Sequence, residues 1–276
     1  MSFGAVSRVG TNVAALNSLH TLNKVNNKVT MHQMRISTGR RINTAEDDPA
    51  GSTISVKLDT RARGLGQALN NVGEAKNVLG ISEGGLNNIY DILLTMKEKT
   101  TLAASDTLGS SERGAIATQL TDFAAEINRI VAETTFNGTA LLDSTYNATF
   151  QSGAETTDVL NVAVSQSHTA SSLGVNSLTV NTSSAASTSL AAVNTAISTV
   201  SSTLQTVGSV VSWLSVKENT LGVAINNTKA ALSRIRDADL AHEQLELTKF
   251  QILQQTALSS LAQANANPQS MLSLFR

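Results

Sequence analysis

The sequence predicts a mainly α-helical fold. Long helices form a coiled-coil or bundle in which the N- and C-termini pair, and a small β-hairpin region lies around residues 137–182. Three observations predict this. Apolar residues recur at spacings of three and four over long stretches at both ends, the stripe of a helix buried on one side. Turn and strand signals are confined to the middle of the chain. Helix breakers are scarce, with 2 prolines in 276 residues, both near expected helix boundaries.

The first helix is carried by Val9, Val13, Leu16, Leu19, Leu22, Val25, Val29, His32 and Ile36, with Asn12, Asn17, Asn23, Lys24, Asn27 and Lys28 opposite. Gly39 ends it, because glycine adopts the left-handed conformation that closes a helix. Residues 37–48 read as an ordered connector. The second helix starts with Asp48 as N-cap and Pro49 at the first helical position, where the missing N–H is not needed. Glu46, Asp47 and Asp48 add negative charge at the positive end of its dipole. A start at Thr44 is the alternative, at the loss of one backbone bond. Ile54, Leu58, Leu65, Leu69, Val72, Leu79, Leu86, Ile89, Leu93 and Met96 then sustain about 50 helical residues. That length implies a coiled-coil-like partner.

A break over Ser105 to Ser111 precedes a third helix with Ile116, Leu120, Phe123, Ile127, Ile130 and Val131 on its apolar face. Asn137-Gly138 is a hairpin-turn signal. Ala148 to Gln151 and Val159 to Val164 read as strands, and Leu173 to Val180 as a candidate third. From about Ser187 the helical period returns through Val193, Ile197, Val200, Leu204, Val207, Val211, Leu214 and Leu221. Its many Ser, Thr and Val are poor helix formers, so tertiary packing must hold it. The last helix carries Leu247, Phe250, Leu253, Ala257, Leu261 and Ala264, and Pro268 kinks or ends it.

Composition narrows the function. With 0 cysteines, a disulfide framework and Cys-ligated metals are excluded. Against 21 Asp+Glu, 20 Lys+Arg leave no basic footprint for nucleic acid. No apolar run approaches the ~18 residues of a membrane span, so no membrane insertion is expected, and no signal peptide precedes the first helix. His242-Glu243-Gln244-Leu245-Glu246 begins like a zinc-peptidase motif, but Glu246 stands where the second histidine belongs, so the run reads as ordinary helix surface. Phosphate loops and dinucleotide-binding runs are missing from the sequence. The reading is therefore no enzyme and no cofactor. Aromatics at 3% and charges at 15% leave aliphatic seams to do the packing. The apolar stripes at the two termini make only a two-helix hairpin alone. They point to burial between copies of the chain, and a contact that does not close on itself gives a helical filament.

Several segments are more specific. Thr11-Asn12-Val13-Ala14-Ala15-Leu16-Asn17 opens the series, followed by Ile36-Ser37-Thr38-Gly39-Arg40-Arg41-Ile42-Asn43-Thr44-Ala45-Glu46-Asp47-Asp48-Pro49-Ala50-Gly51. Thr135-Phe136-Asn137-Gly138 with Leu141-Leu142 comes next, then Ser233-Arg234-Ile235-Arg236-Asp237-Ala238-Asp239, Gln251 to Gln255, and Leu261 to Leu274. In these segments, and in their order along nearly the whole chain, the sequence resembles a bacterial flagellin of the short type, without large D2/D3 outer domains.

The resemblance implies three parts. Residues 1–36 with 237–276 would form the inner coiled coil, D0. Residues 37–48 and 230–236 would form a connector, and 49–229 a helical outer part, D1, holding the hairpin region. Inner-core packing falls to Val13, Leu16, Leu19, Leu22, Val29, Leu247, Leu253, Leu261 and Leu274. The connector residues are Gly39, Arg40, Arg41, Asp47, Asp48, Arg234, Arg236, Asp237 and Asp239, whose charges read either as a solvated face or as inter-subunit bridges. The implied role is a structural subunit of the extracellular flagellar filament, serving swimming motility and exported unfolded by the flagellar type III apparatus without a cleaved signal peptide. The implied partners are further copies of the chain, other flagellins, hook–filament junction proteins, the filament cap, an export chaperone and the export gate. A hook–filament junction protein, or a secreted adhesin using the same route, is the alternative. Thr95 and Gln119 stand where many flagellins carry an Arg and a Glu read by the innate receptor TLR5, which implies weak or no TLR5 activation. The hydroxyl-rich stretch Ser165 to Thr203 is a candidate for O-linked sugars. Asn-x-Ser/Thr sites at Asn137, Asn147 and Asn181 read as chance.

Overall fold

A computed structural model describes residues 11–273, with side chains to 268. Five helices and two short antiparallel hairpins follow in the order α1 (Val13–Thr38), α2 (Pro49–Ala103), α3 (Ser110–Glu133), β1 (Thr135–Phe136), β2 (Thr139–Ala140), β3 (Asn147–Gln151), β4 (Val159–Ala163), α4 (Ser183–Arg236) and α5 (Leu240–Ser273). The described chain is mainly helical, as predicted. It divides into two compact units. One contains residues up to Thr60 and from Thr228 on, and the other runs from Arg61 to Asn227.

Local chemistry sets most boundaries. Asn12 caps α1 by accepting from the Ala15 N–H at 3.0 Å. Gly39 closes α1 at φ 66°, a left-handed conformation that a side chain would strain. The Asp48 carboxylate accepts from Gly51 N–H at 2.9 Å, so the second helix begins at Pro49 and not at Thr44. At the other end of α2, the Arg113 guanidinium donates to the carbonyls of Ala103 at 3.0 Å and Ser105 at 2.8 Å. The Ala103 carbonyl is among those that lose their helical donors where α2 stops.

The Arg61–Asn227 unit has a closed aliphatic core. Leu86, Ile89, Leu93 and Met96 of α2, Leu120 and Ile127 of α3, Leu141 and Leu142 after β2, and Leu214 of α4 are fully buried together. Burial of each such side chain is worth roughly 1.5–3 kcal/mol. Lys76 and Glu218 pair at 2.8 Å between α2 and α4. The Asn137-Gly138 turn has both residues at positive φ (50° and 80°), the geometry that matches a two-residue hairpin to strand twist. The register pairs Thr135 with Ala140, and in the second hairpin Thr149 with Asn161.

Three expectations are corrected. Leu173 to Val180 forms no strand. Instead, Val175 N–H bonds to Ala170 carbonyl at 2.9 Å and Gly174 N–H to Ser171 carbonyl at 3.1 Å, a helical turn closed by left-handed Gly174 at φ 72°. This turn drives Ala170, Leu173 and Val175 into the core. Helix α4 begins at Ser183, ahead of its apolar period, because Thr182 caps it through its side chain to Ala185 N–H at 3.1 Å. Helix α5 is not ended by Pro268 but continues to Ser273. Proline withholds the donor that Ala264 carbonyl would receive. The Asn12 side-chain amide, from α1, supplies one at 2.8 Å.

Candidate functional site: the paired terminal helices and their connector

Helices α1 and α5 run antiparallel. His32 lies against Glu243, Asn26 bonds Gln254 at 2.7 Å, and Asn12 reaches Ala264. The expected inner-core residues divide sharply. Leu22 and Leu247 are buried, at 8% exposure each, and Val29 and Leu261 are half-buried. Val13, Leu16, Leu19 and Leu253 remain 41–57% exposed. Leu274 and Val9 fall outside the described residues. A groove of about 410 Å³ runs between the two helices, lined by Val25, Leu253 and Ala257 and rimmed by Asn17, Ser18, Thr21, Thr256 and Ser260.

The least expected feature is ionic. Glu243 turns inward rather than lying on the helix surface, and is 5% exposed. Its carboxylate accepts from His32 Nδ1 at 2.5 Å and pairs with the Arg35 guanidinium at 3.4 Å. The His32 ring stacks on Phe250 at 5.2 Å, and the Lys249 ammonium stands 5.4 Å from the centroid of the same Phe250 ring. The sequence carried a signal for this, since His32 occupies a core position of the apolar stripe. A histidine there needs a polar partner. What the sequence did not carry was the partner's identity, 211 residues away.

The connector closes as a backbone crossing. Arg40 and Asp237 form an antiparallel bridge, with Arg41 N–H bonding Arg236 carbonyl at 2.7 Å and Ala238 N–H bonding Gly39 carbonyl at 3.0 Å. The connector charges have specific tasks. Asp47 Oδ2 accepts from the N–H groups of Asn43 and Thr44, both at 3.0 Å. The Thr44 and then the Asn43 backbone donors hold the Asp47 carboxyl below the ordinary aspartate value. Asp239 caps α5 through Ala241 N–H at 3.0 Å. Arg41 donates to Ile235 carbonyl at 2.8 Å, and Arg236 reaches Asp237 at 3.5 Å and Asp59 at 3.9 Å. Asp48 caps α2. Asp48 thus caps as the sequence predicts, and Asp47, Asp239 and Arg41 likewise order the chain's own turns.

The other candidate residues lie in the second unit. Thr95 donates to Asp91 carbonyl at 3.1 Å, and Gln119 is exposed on α3. Within Ser165 to Thr203, Ser165, Ser171, Ser172, Ser187 and Thr188 are exposed, whereas Ser189 is buried and bonds both backbone groups of Thr179. His168 is fully buried, with Nε2 at 3.0 Å from Thr203 Oγ1. Among the described residues no His/Asp/Glu group is arranged to hold a metal ion, and no helix is long and apolar enough to cross a membrane.

Sequence comparison identifies what this architecture belongs to. The bacterial flagellin N-terminal helical region matches residues 9–147, and the bacterial flagellin C-terminal helical region matches residues 190–275. The chain is a flagellin. Flagellin FlaB1 of Treponema pallidum is 30% identical over 97% of this chain and 99% of its own length. The flagellin of Bacillus subtilis is 32% identical over 98% and 100%. Among solved structures, Bacillus cereus flagellin aligns with a TM-score of 0.50 at 25% identity, covering 55% of this chain and 88% of that one. A flagellar hook-associated protein from Vibrio parahaemolyticus shares the fold, with a TM-score of 0.58 over 69% of this chain and all of that one, at 13% identity. This flagellin is thus a structural subunit by family, built as paired terminal helices joined to a helical bundle with a small hairpin region.

Proposed function

We propose that this flagellin polymerises into an extracellular flagellar filament and takes no part in catalysis. The observation that carries the reading is the unfinished α1/α5 pair. After the two helices have packed on each other, Leu16, Leu19, Leu245, Ile252 and Leu258 are still 44–64% exposed. Large apolar side chains left in water on two paired helices are what an interaction site presents. Further copies of the same two helices are the natural cover, with residues 1–36 and 237–276 as the inner tube, 37–48 and 230–236 as connector and 49–229 as the outer layer. Export as an unfolded chain, without a cleaved signal, fits a protein with no cysteine. The chaperone, export gate, cap and junction proteins are partners on the same reading. Electron microscopy of the purified protein tests it. Helical filaments are expected, and a solution of stable monomers at high concentration overturns the proposal.

Two finer readings accompany it. Thr95 and Gln119 offer neither cation nor anion to TLR5, so a reporter-cell response far below that of a strong agonist is expected; an equal response rejects this. The exposed hydroxyls between Ser165 and Thr203 are acceptors for O-linked sugars, and an intact mass equal to the bare chain would exclude modification.

A further inference from the structure

Between β4 and α4, residues 165–180 close the core of the Arg61–Asn227 unit while lying outside its helices and hairpins. Ala170, Leu173, Val175 and Val180 are buried to 0–6% exposure. Named bonds hold the segment at its two ends. Near its start, His168 N–H donates to the Leu142 carbonyl at 2.9 Å, and Ala170 N–H to the Asn128 side chain of α3 at 2.9 Å. Near its end, Ser189 of α4 accepts from Thr179 N–H at 3.1 Å and donates to the Thr179 carbonyl at 2.7 Å. The His168 ring adds a contact to α4, with Nε2 at 3.0 Å from Thr203 Oγ1.

This histidine is fully buried, and its Nδ1 has no hydrogen-bond partner. Thr203 donates its own hydroxyl proton to the Thr199 carbonyl at 3.1 Å, so the ring is the donor to Thr203 and keeps its proton on Nε2. Nδ1 is then a bare acceptor, the atom that a proton takes in acid. The charge so formed meets neutral surroundings. No residue from 159 to 216 carries a formal charge, which covers the segment and most of α4. On α3, Arg129 and Glu126 pair with each other at 2.6 Å, and both are solvent-accessible. The Asp143 carboxylate, beside the segment through the Asp143–Ser167 bridge, accepts from Thr145 N–H at 2.9 Å and from its hydroxyl at 2.6 Å. Burial governs the ring's proton, opposed by the Gln166 and Leu142 backbone, with no ionised side chain of α2, α3 or α4 contributing among the described residues. A buried imidazolium without a carboxylate is costly, and swinging it into water removes the cost. A segment held by a few bonds opens more cheaply than a helix does.

We propose that residues 165–178 are an acid-operated flap: protonation of His168 expels its ring and lifts the segment off α3 and α4, while the Ser189–Thr179 clasp keeps its far end in place. Opening brings Ala170, Leu173 and Val175 into water beside the already exposed Ser171 and Ser172, so acid turns a hydroxyl-covered patch of the unit apolar. The flap closes on the chain's own groups and is independent of the filament reading.

Amide hydrogen exchange on the full chain tests this, with rates corrected for the pH dependence of the exchange chemistry itself. The amides of His168, Ala170 and Val175 are bonded in the closed flap. They should open about tenfold more often, or more, than those of Leu86, Ile89 and Leu93 in α2. The open fraction should also grow about tenfold between about pH 7.5 and about pH 5, because the released ring binds a proton with the ordinary histidine pKa of about 6.5. In His168→Gln, which keeps a donor for Thr203 and cannot take up the proton, that growth should vanish. Flap amides that ignore pH overturn the proposal. So do flap and α2 amides that exchange at one common rate, since the opening is then global, and so does a His168→Gln chain that keeps the pH dependence. The unmodified protein alone separates local from global opening, so the outcome does not hang on whether the variant folds.

Discussion

The two units of this flagellin handle apolar surface in opposite ways. The Arg61–Asn227 unit seals a contiguous set of large side chains from water on α2, α3, α4 and the segment after β2. The terminal unit, built on α1 and α5, buries a few aliphatic residues at 4–9% exposure, adds an ionic pair, and leaves many leucines in solvent. A three-helix arrangement can enclose an axis, whereas two helices share a single seam and must expose their other faces. The contrast separates a part that is finished as a folding unit from a part that is finished by association.

Four predictions break or sharpen that contrast. The largest effect is expected at the buried ion pair. Glu243→Ala leaves His32 and Arg35 without their acceptor and should cost the α1/α5 pair about 3–5 kcal/mol, read by amide exchange along α1. Replacing both His32 and Glu243 by leucine should be near neutral. If the two variants behave alike, the charge has no role. Next, Leu93→Ala should cost the closed core about 2–5 kcal/mol and lower its melting temperature, without exposing α1 to exchange.

A smaller effect belongs to Asn12. Asn12→Ala removes a cap and the donor to Ala264 together, so about 1–2 kcal/mol should be lost, with fraying at both α1 and the Pro268 turn of α5 in exchange data. The smallest change in monomer stability should come from Leu16→Asp, within about 0.5 kcal/mol because the residue is already in water, yet assembly should fail. A filament that forms normally from this variant would remove the terminal stripe from the polymer core.

Acid discriminates the units as well. Burial holds the His168 imidazole below the ordinary histidine value, against the opposing pull of the Gln166 and Leu142 backbone. The folded state then binds fewer protons than the unfolded chain. Its contribution is complete above the ordinary histidine pKa of about 6.5 and is lost as pH falls from there through the folded value. Thermal melts of the Arg61–Asn227 unit should lose stability over that window, and His168→Gln should flatten the loss. Asp47, lowered instead, acts on the connector only at lower pH, as its carboxylate protonates.

Element identity was largely legible. The Asp48-Pro49 start, the Gly39 stop and the Asn137-Gly138 turn each follow from one or two residues whose backbone preference dominates. Misreadings arose where a distant group supplied what the local sequence lacked. Of a kink or an end at Pro268, the end is the alternative set aside, because the Asn12 donor lies 256 positions earlier. Leu173 to Val180 looked like a strand because an apolar run is compatible with either an extended segment or a turn plugged into a core. The connector charges were visible as a cluster, but apart from the Asp48 cap their partners were not: Asp47, Asp239 and Arg41 bond backbone groups, and Arg236 reaches Asp59 and Asp237.

The sequence by itself determined the class of this protein. Apolar stripes with a helical period, absent cysteine and the ordered flagellin segments are all properties of single stretches, and they sufficed for a helical structural subunit with paired ends. Only the tertiary structure decided which part of each stripe is used up within the chain and which part is left over. That depends on the antiparallel register of α1 against α5, fixed by His32 meeting Glu243, and on the angular position of the α2 and α4 faces around a shared core. Helical period fixes which residues share a face; packing alone fixes what that face meets.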